Sequence, residues 1–81
     1  MKTRKQIYGD KNIVGKNIER IRKSRGIKQK DFIAQIQSVV HDINPTSYSK
    51  LEGQLRSATD KEIYVIAKIL EISMEELFEE N

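Results

Sequence analysis

The stretch from Asn44 to Gly53, reading Asn-Pro-Thr-Ser-Tyr-Ser-Lys-Leu-Glu-Gly, leaves the backbone few choices. Asn44 is a strong N-cap, because its side-chain oxygen can accept an orphan N–H of the first turn. Pro45 fits the first helical position, where its missing N–H costs nothing and its fixed φ is already helical. Gly53 suits the C′ position, where a left-handed residue ends a helix. These signals predict a short helix over Pro45 to Glu52 with both ends specified. Tyr48 and Leu51 lie three apart, so they share one face, which should pack inward. Thr46, Ser47, Ser49 and Lys50 point elsewhere.

The flanking segments repeat the helical signal. Val14, Ile18 and Ile21 recur at i, i+4 and i+7, which predicts a first helix over Asn12 to Arg25 that ends at Gly26 as C′. A second helix is expected from Lys28 to about Val39, with Ile27 and Phe32 as a hydrophobic staple and Phe32, Ile33, Ile36 and Val40 buried. Lys28 offers no acceptor as an N-cap. With Gln29 and Lys30 it makes the helix start an anion site of free N–H groups, dipole and cations. Ser38 to Ile43 joins the second helix to the short one, with Val39, Val40 and Ile43 tucked onto the core. Thr59-Asp-Lys-Glu62 and Ser73-Met-Glu-Glu76 are capping boxes that open a fourth and a fifth helix. Glu79 to Asn81 should fray. Met1 to Lys11 lacks periodicity and reads as a basic arm, a loose tail or a partner-dependent strand. The expectation is one domain over residues 12–81: a compact, all-α, five-helix bundle with short joints.

Eighty-one residues give one core and no more. No apolar run approaches a membrane span, and the N-terminus lacks the apolar segment of a signal peptide. The absence of cysteine removes disulfides, thiolate nucleophiles and zinc–thiolate sites together. With one histidine, His41, and no Gly-rich phosphate loop, little remains from which to build a catalytic centre, cofactor site or metal site. Net charge is only +3, but it is polarised. Residues 1–30 carry eleven Lys and Arg against two acids, whereas residues 58–81 carry two against seven. A basic front and an acidic rear steer a polyanion to one end.

The order of elements, together with particular residues, resembles the lambda-repressor/Cro helix-turn-helix family, also called the XRE family. The matching residues are Val14-Gly15-Lys16-Asn17-Ile18, Ile21-Arg22, Gly26-Ile27-Lys28-Gln29, Tyr48-Ser49-Lys50-Leu51-Glu52-Gly53, Ile66-Ala67-Lys68-Ile69-Leu70-Glu71-Ile72-Ser73 and Leu77-Phe78. They span roughly residues 12 to 78, with the helix-turn-helix itself within 28–53. The resemblance implies a cytoplasmic, nucleoid-associated regulator, bacterial or phage-encoded, that binds double-stranded DNA as a dimer on a palindromic operator. By the same resemblance Gln29 bonds a phosphate and braces the reading helix. Asn44 and Ser47 lie at phosphate-contacting or base-proximal positions, and Pro45, Thr46 and Lys50 face base edges. Arg56 meets the backbone beyond the reading helix, and Arg22 and Glu52 form a structural ion pair. Two departures stand out. The joint between helices two and three is longer than the family's and lacks its glycine, which lets Ser38, His41 or Asp42 approach DNA. Ile33 stands where the family prefers a small residue, which would set helices two and three slightly farther apart.

Three readings follow. The first is sequence-specific duplex binding by a transcriptional repressor. Lys50 would address guanine O6/N7, and Thr46 and Pro45 a thymine methyl; Ser47 and Ser49 would supply small polar contacts. Lys28, Lys30 and Arg56 would add salt-dependent affinity. The dimer face is expected around Tyr64, Ile69, Ile72 and Phe78, and no small-molecule effector is indicated. The second reading is a protein-interaction module, such as an antitoxin or phage anti-regulator, using the acidic rear and the long joint. The third, an enzyme, finds no support in the residue types.

Overall fold

The computed structural model describes residues 9–80, and among them the chain is all-helical. Five helices follow in order: α1 (Gly15–Ser24), α2 (Gln29–Gln37), α3 (Pro45–Glu52), α4 (Asp60–Leu70) and α5 (Met74–Leu77). Local chemistry sets three of the five starts. The Asn44 side chain accepts the Ser47 N–H at 2.8 Å, and Thr59 and Ser73 form complete reciprocal capping boxes with Glu62 and Glu76. Lys28 precedes α2 in extended conformation and makes no side-chain cap.

Three helices stop in the same way. Gly26, Gln54 and Glu71 each take positive φ, and the next residue's N–H reaches back one turn. Ile27 bonds the Arg22 carbonyl, Leu55 that of Lys50, and Ile72 that of Ala67. This double-bonded turn satisfies carbonyls that a helix end otherwise orphans. Gly53, expected as the left-handed stop of α3, has φ −80, and the left-handed residue is Gln54 instead. Gln54 has a reason to be there: its amide donates to the Asn12 carbonyl at 2.7 Å.

The core gathers Val14, Ile18, Phe32, Ile36, Tyr48, Leu51, Ile66, Leu70 and Leu77, all essentially inaccessible to water. α3 packs against α1 and α2, while α4 packs against α1, α2 and α5. Phe32 and Tyr48 meet edge to face with ring centres 5.8 Å apart, a pair worth about 0.5–1.5 kcal/mol beyond its buried area. α1 approaches the last turn of α3 at Gly15. A Cβ there would lie 2.4 Å from the Leu51 carbonyl oxygen, so only glycine fits.

Several expectations need correction. α1 begins at Gly15 and not Asn12, because Asn12 acts as a clamp. Its Oδ1 accepts the Gly15 N–H, while its amide donates to the carbonyls of Leu51 and Arg56 at 3.0 and 2.8 Å. α2 stops at Gln37, and Val39, expected against the core, is 56% exposed. The joint to α3 is nonetheless ordered. Val40 and Ile43 are buried, and Gln37 Nε2 donates to the Ile43 carbonyl at 2.8 Å. Glu79, expected to fray, is tied down by the buried Asn17, whose amide donates to the carbonyls of Leu77 and Glu79. Residues 1–8 of the expected arm, and Asn81, lie outside the described residues. The arm's root is docked: the Gly9 and Lys11 N–H groups donate to the carbonyls of Gly53 and Gln54 at 2.8 and 3.0 Å. No helix among the described residues is long and apolar enough to cross a membrane.

Candidate nucleic-acid interface

α3 divides cleanly. Tyr48, Leu51 and Glu52 are buried, while Asn44, Pro45, Thr46, Ser49 and Lys50 are exposed and Ser47 is half-buried. The split follows from helical periodicity, since Tyr48, Leu51 and Glu52 sit three and four residues apart on one side.

The buried side is fixed by a polar cluster around the Glu52 carboxylate. Arg22 Nε donates to Oε2 at 2.7 Å and its Nη2 to Oε1 at 3.3 Å, with both side chains almost fully buried. The Tyr48 hydroxyl donates to the same Oε2, and Gln29 Nε2 donates to Oε1 at 3.3 Å. Arg22 Nη1 also donates to the Ile27 carbonyl. Four donor groups from α1, α2 and α3 thus converge on one carboxylate. Burial alone would lower the Arg22 pKa, but Glu52 reverses this and holds it above its ordinary value. Burial pushes the Tyr48 phenol far up, and the neighbouring carboxylate adds to the shift, so the hydroxyl stays a donor. Among the described residues, no buried side-chain nitrogen or oxygen lacks a partner. A network satisfied in this way sets the rotation and tilt of α3 against the body.

The cations divide into engaged and exposed. Lys28 and Lys30 are exposed at the start of α2. The Gln29–Glu52 bond ties that start to the last turn of α3, which carries Lys50. Arg56 is not a free cation. Its Nη1 and Nη2 form a two-pronged pair with Glu62 at 3.0 and 2.9 Å, while Nε donates to the Ser47 carbonyl at 2.9 Å and Nη1 to that of Ser57 at 2.8 Å. Its observed role is a strut between α3 and α4. Burial would raise the Glu62 pKa, but the Arg56 bonds and the Thr59 N–H outweigh this and hold it below the usual carboxylate value. Gln29 likewise directs its amide inward to Glu52.

Three features lie outside the sequence-based expectations. Asn12 and Asn17 act over long range, and nothing in their neighbourhood announces it. The third is Leu55, which belongs to none of the expected helices. It is 54% exposed and lines an open groove beside α3 with Pro45, Thr46 and Lys50. Its spacing is the available signal, because the second residue beyond a helix C-cap, here Gly53, is commonly apolar. His41 and Asp42 are exposed on the joint, facing a second groove that includes Asp60 and Lys61 at the start of α4. Compared with known proteins, the chain matches no family model, no curated protein and no solved structure.

Proposed function

We propose that this chain is a sequence-specific double-stranded DNA-binding protein of the lambda-repressor/Cro helix-turn-helix type, a transcriptional repressor whose α2 and α3 form the motif. One observation carries the reading. Thr46, Ser49 and Lys50 stand in solvent on a helix whose opposite face is locked by a buried, fully hydrogen-bonded carboxylate. A rigid rod with small polar groups and one cation outward is what major-groove readout requires. Lys28 and Lys30 flank it and would contact phosphates. So would the second N–H of the Gln29 amide and the amide of Asn44. Arg56 positions α3 through the Ser47 carbonyl and is a secondary contact at most.

One domain reads only a few base pairs, so two copies act together on an operator with two-fold symmetry. The second copy meets the acidic rear, where Tyr64, Met74 and Phe78 are 54%, 42% and 43% exposed, whereas Ile69 and Ile72, also expected on that face, pack partly buried against the core. Sedimentation of the protein on a palindromic duplex should give two chains per duplex, and one chain per duplex would remove this part. The site of action is the nucleoid, in the cytoplasm.

The test is titration of labelled random duplex at low salt, read by fluorescence anisotropy. Binding should weaken linearly in log–log form with added salt, with a slope of about 0.9 per phosphate neutralised. Absence of salt-dependent binding rejects the proposal in favour of a protein-interaction module built on the same helices.

A further inference from the structure

Among the described residues the helix-ending turn occurs three times, and in two of them the apolar residue that follows the left-handed position packs inward. Ile27 after Gly26 and Ile72 after Glu71 both lie partly buried against the core. The third copy departs from this. Leu55 after Gln54 remains 54% exposed, although its backbone N–H is held by the Lys50 carbonyl at 2.8 Å. Its position is fixed from below as well. A Cβ built on Gly53 would lie 3.6 Å from Leu55 Cγ, so the side chain rests over that residue. The chain thus holds a large apolar side chain in water beside Pro45, Thr46 and Lys50.

We propose that Leu55 is a specificity-determining residue that, with Thr46 and Pro45, receives the C5-methyl group of a pyrimidine next to the base addressed by Lys50. This deepens the DNA-binding reading and rests on it. The ligand chemistry follows from the groove. Lys50, the exposed cation of its lining, suits a polyanion, whereas Arg56 behind it is neutralised by Glu62; the only apolar group that a duplex offers in the major groove is a pyrimidine C5-methyl. Thymine and 5-methylcytosine both carry it. An aliphatic pocket takes up a methyl without competing for the polar edge, which is left to Lys50 and Ser49.

The experiment uses the full chain and a duplex selected from a random pool. Each thymine is replaced in turn by uracil, which deletes the methyl and nothing else. Affinity should fall about fourfold at one or two positions, the value of one buried methyl-sized group. At those positions Leu55→Ala should erase the difference between thymine and uracil, and Leu55→Met should retain it, with the salt slope unchanged in both. In a second arm the same position is made cytosine or 5-methylcytosine. A gain on methylation means that either source of the methyl is read; no gain means that thymine is read through its methyl and O4 together. If uracil is neutral at every position, or if Leu55→Ala keeps the full uracil penalty, the inference is overturned. The uracil scan needs no variant to fold. A protein that binds no duplex at low salt overturns the DNA-binding reading as well, so the two failures are distinct.

Discussion

Replacing Glu52 by glutamine keeps the shape of the side chain and removes one charge at the point where α1, α2 and α3 meet. Each carboxylate oxygen accepts two donors: Oε2 from Arg22 Nε and Tyr48, Oε1 from Arg22 Nη2 and Gln29. An amide –NH₂ placed at either oxygen position therefore faces donors, and the Arg22 guanidinium is left charged and buried beside a neutral group. Removing one partner from a buried pair costs about 3–5 kcal/mol. A chain of this length has a total stability of about 4–12 kcal/mol, so the variant should be marginal or unfolded. At about 4–8 °C per kcal/mol, Tm should drop by at least about 12 °C. Urea unfolding followed by far-UV circular dichroism reads the loss directly, with an unchanged m value indicating the same transition. Arg22→Met combined with Glu52→Met should be more stable than Glu52→Gln alone, because no charge is left unpaired. A loss below about 1 kcal/mol for Glu52→Gln, the value of an exposed pair, would refute the idea that this network holds α3.

Other consequences follow from particular contacts. Gly15→Ala would place a Cβ 2.4 Å and 2.6 Å from two backbone oxygens of α3, so thermal unfolding should reveal a loss of at least about 1–3 kcal/mol; a neutral effect would contradict the close approach. Gln54→Ala loses the bond to Asn12 and keeps the left-handed φ, costing about 1 kcal/mol, whereas Gln54→Gly relieves the φ; urea midpoints should rank glycine above alanine. The Glu62 pKa is lowered in the folded state, so the stability it contributes is complete above the ordinary value of 4.5 and is lost as pH falls through the lower folded value. Glu62→Gln should flatten the acid limb of a stability–pH curve, and an unchanged limb would argue against the Arg56 strut. Lys50→Ala should relax base preference at one operator position by about 1–3 kcal/mol, while Lys28→Ala should weaken all duplexes alike and lower the salt slope by about 1, both read by anisotropy.

Helix starts were legible because a cap is a contact between residues three apart. Asn44, Thr59 and Ser73 carry all the information for α3, α4 and α5. The buried face of α3 was legible from spacing alone. What escaped was set by partners far along the chain. Asn12 delays α1 because its side chain serves the Leu51 and Arg56 carbonyls, some forty residues on. Gly53 reads locally as the left-handed stop, yet the turn falls at Gln54, whose side chain finds Asn12 across the fold. Arg56 reads as an outward cation because the local pattern places Glu62 only in a capping box. A carboxylate has two oxygens, and here the bond to the Thr59 N–H leaves the group able to hold a guanidinium as well. Leu55 belongs to the same class: whether the apolar residue after a helix stop reaches the core depends on what packs nearby.

Under the DNA-binding proposal the solvent face of α3 meets the nucleic acid. Amide chemical-shift mapping of the labelled protein with duplex DNA at low salt tests it most directly. The largest changes should fall at Asn44, from Thr46 to Lys50, at Leu55, and across Lys28 to Lys30, each exceeding any change that a second copy causes in α4 and α5. Changes confined to α4 and α5, with the α3 amides unmoved, would contradict it.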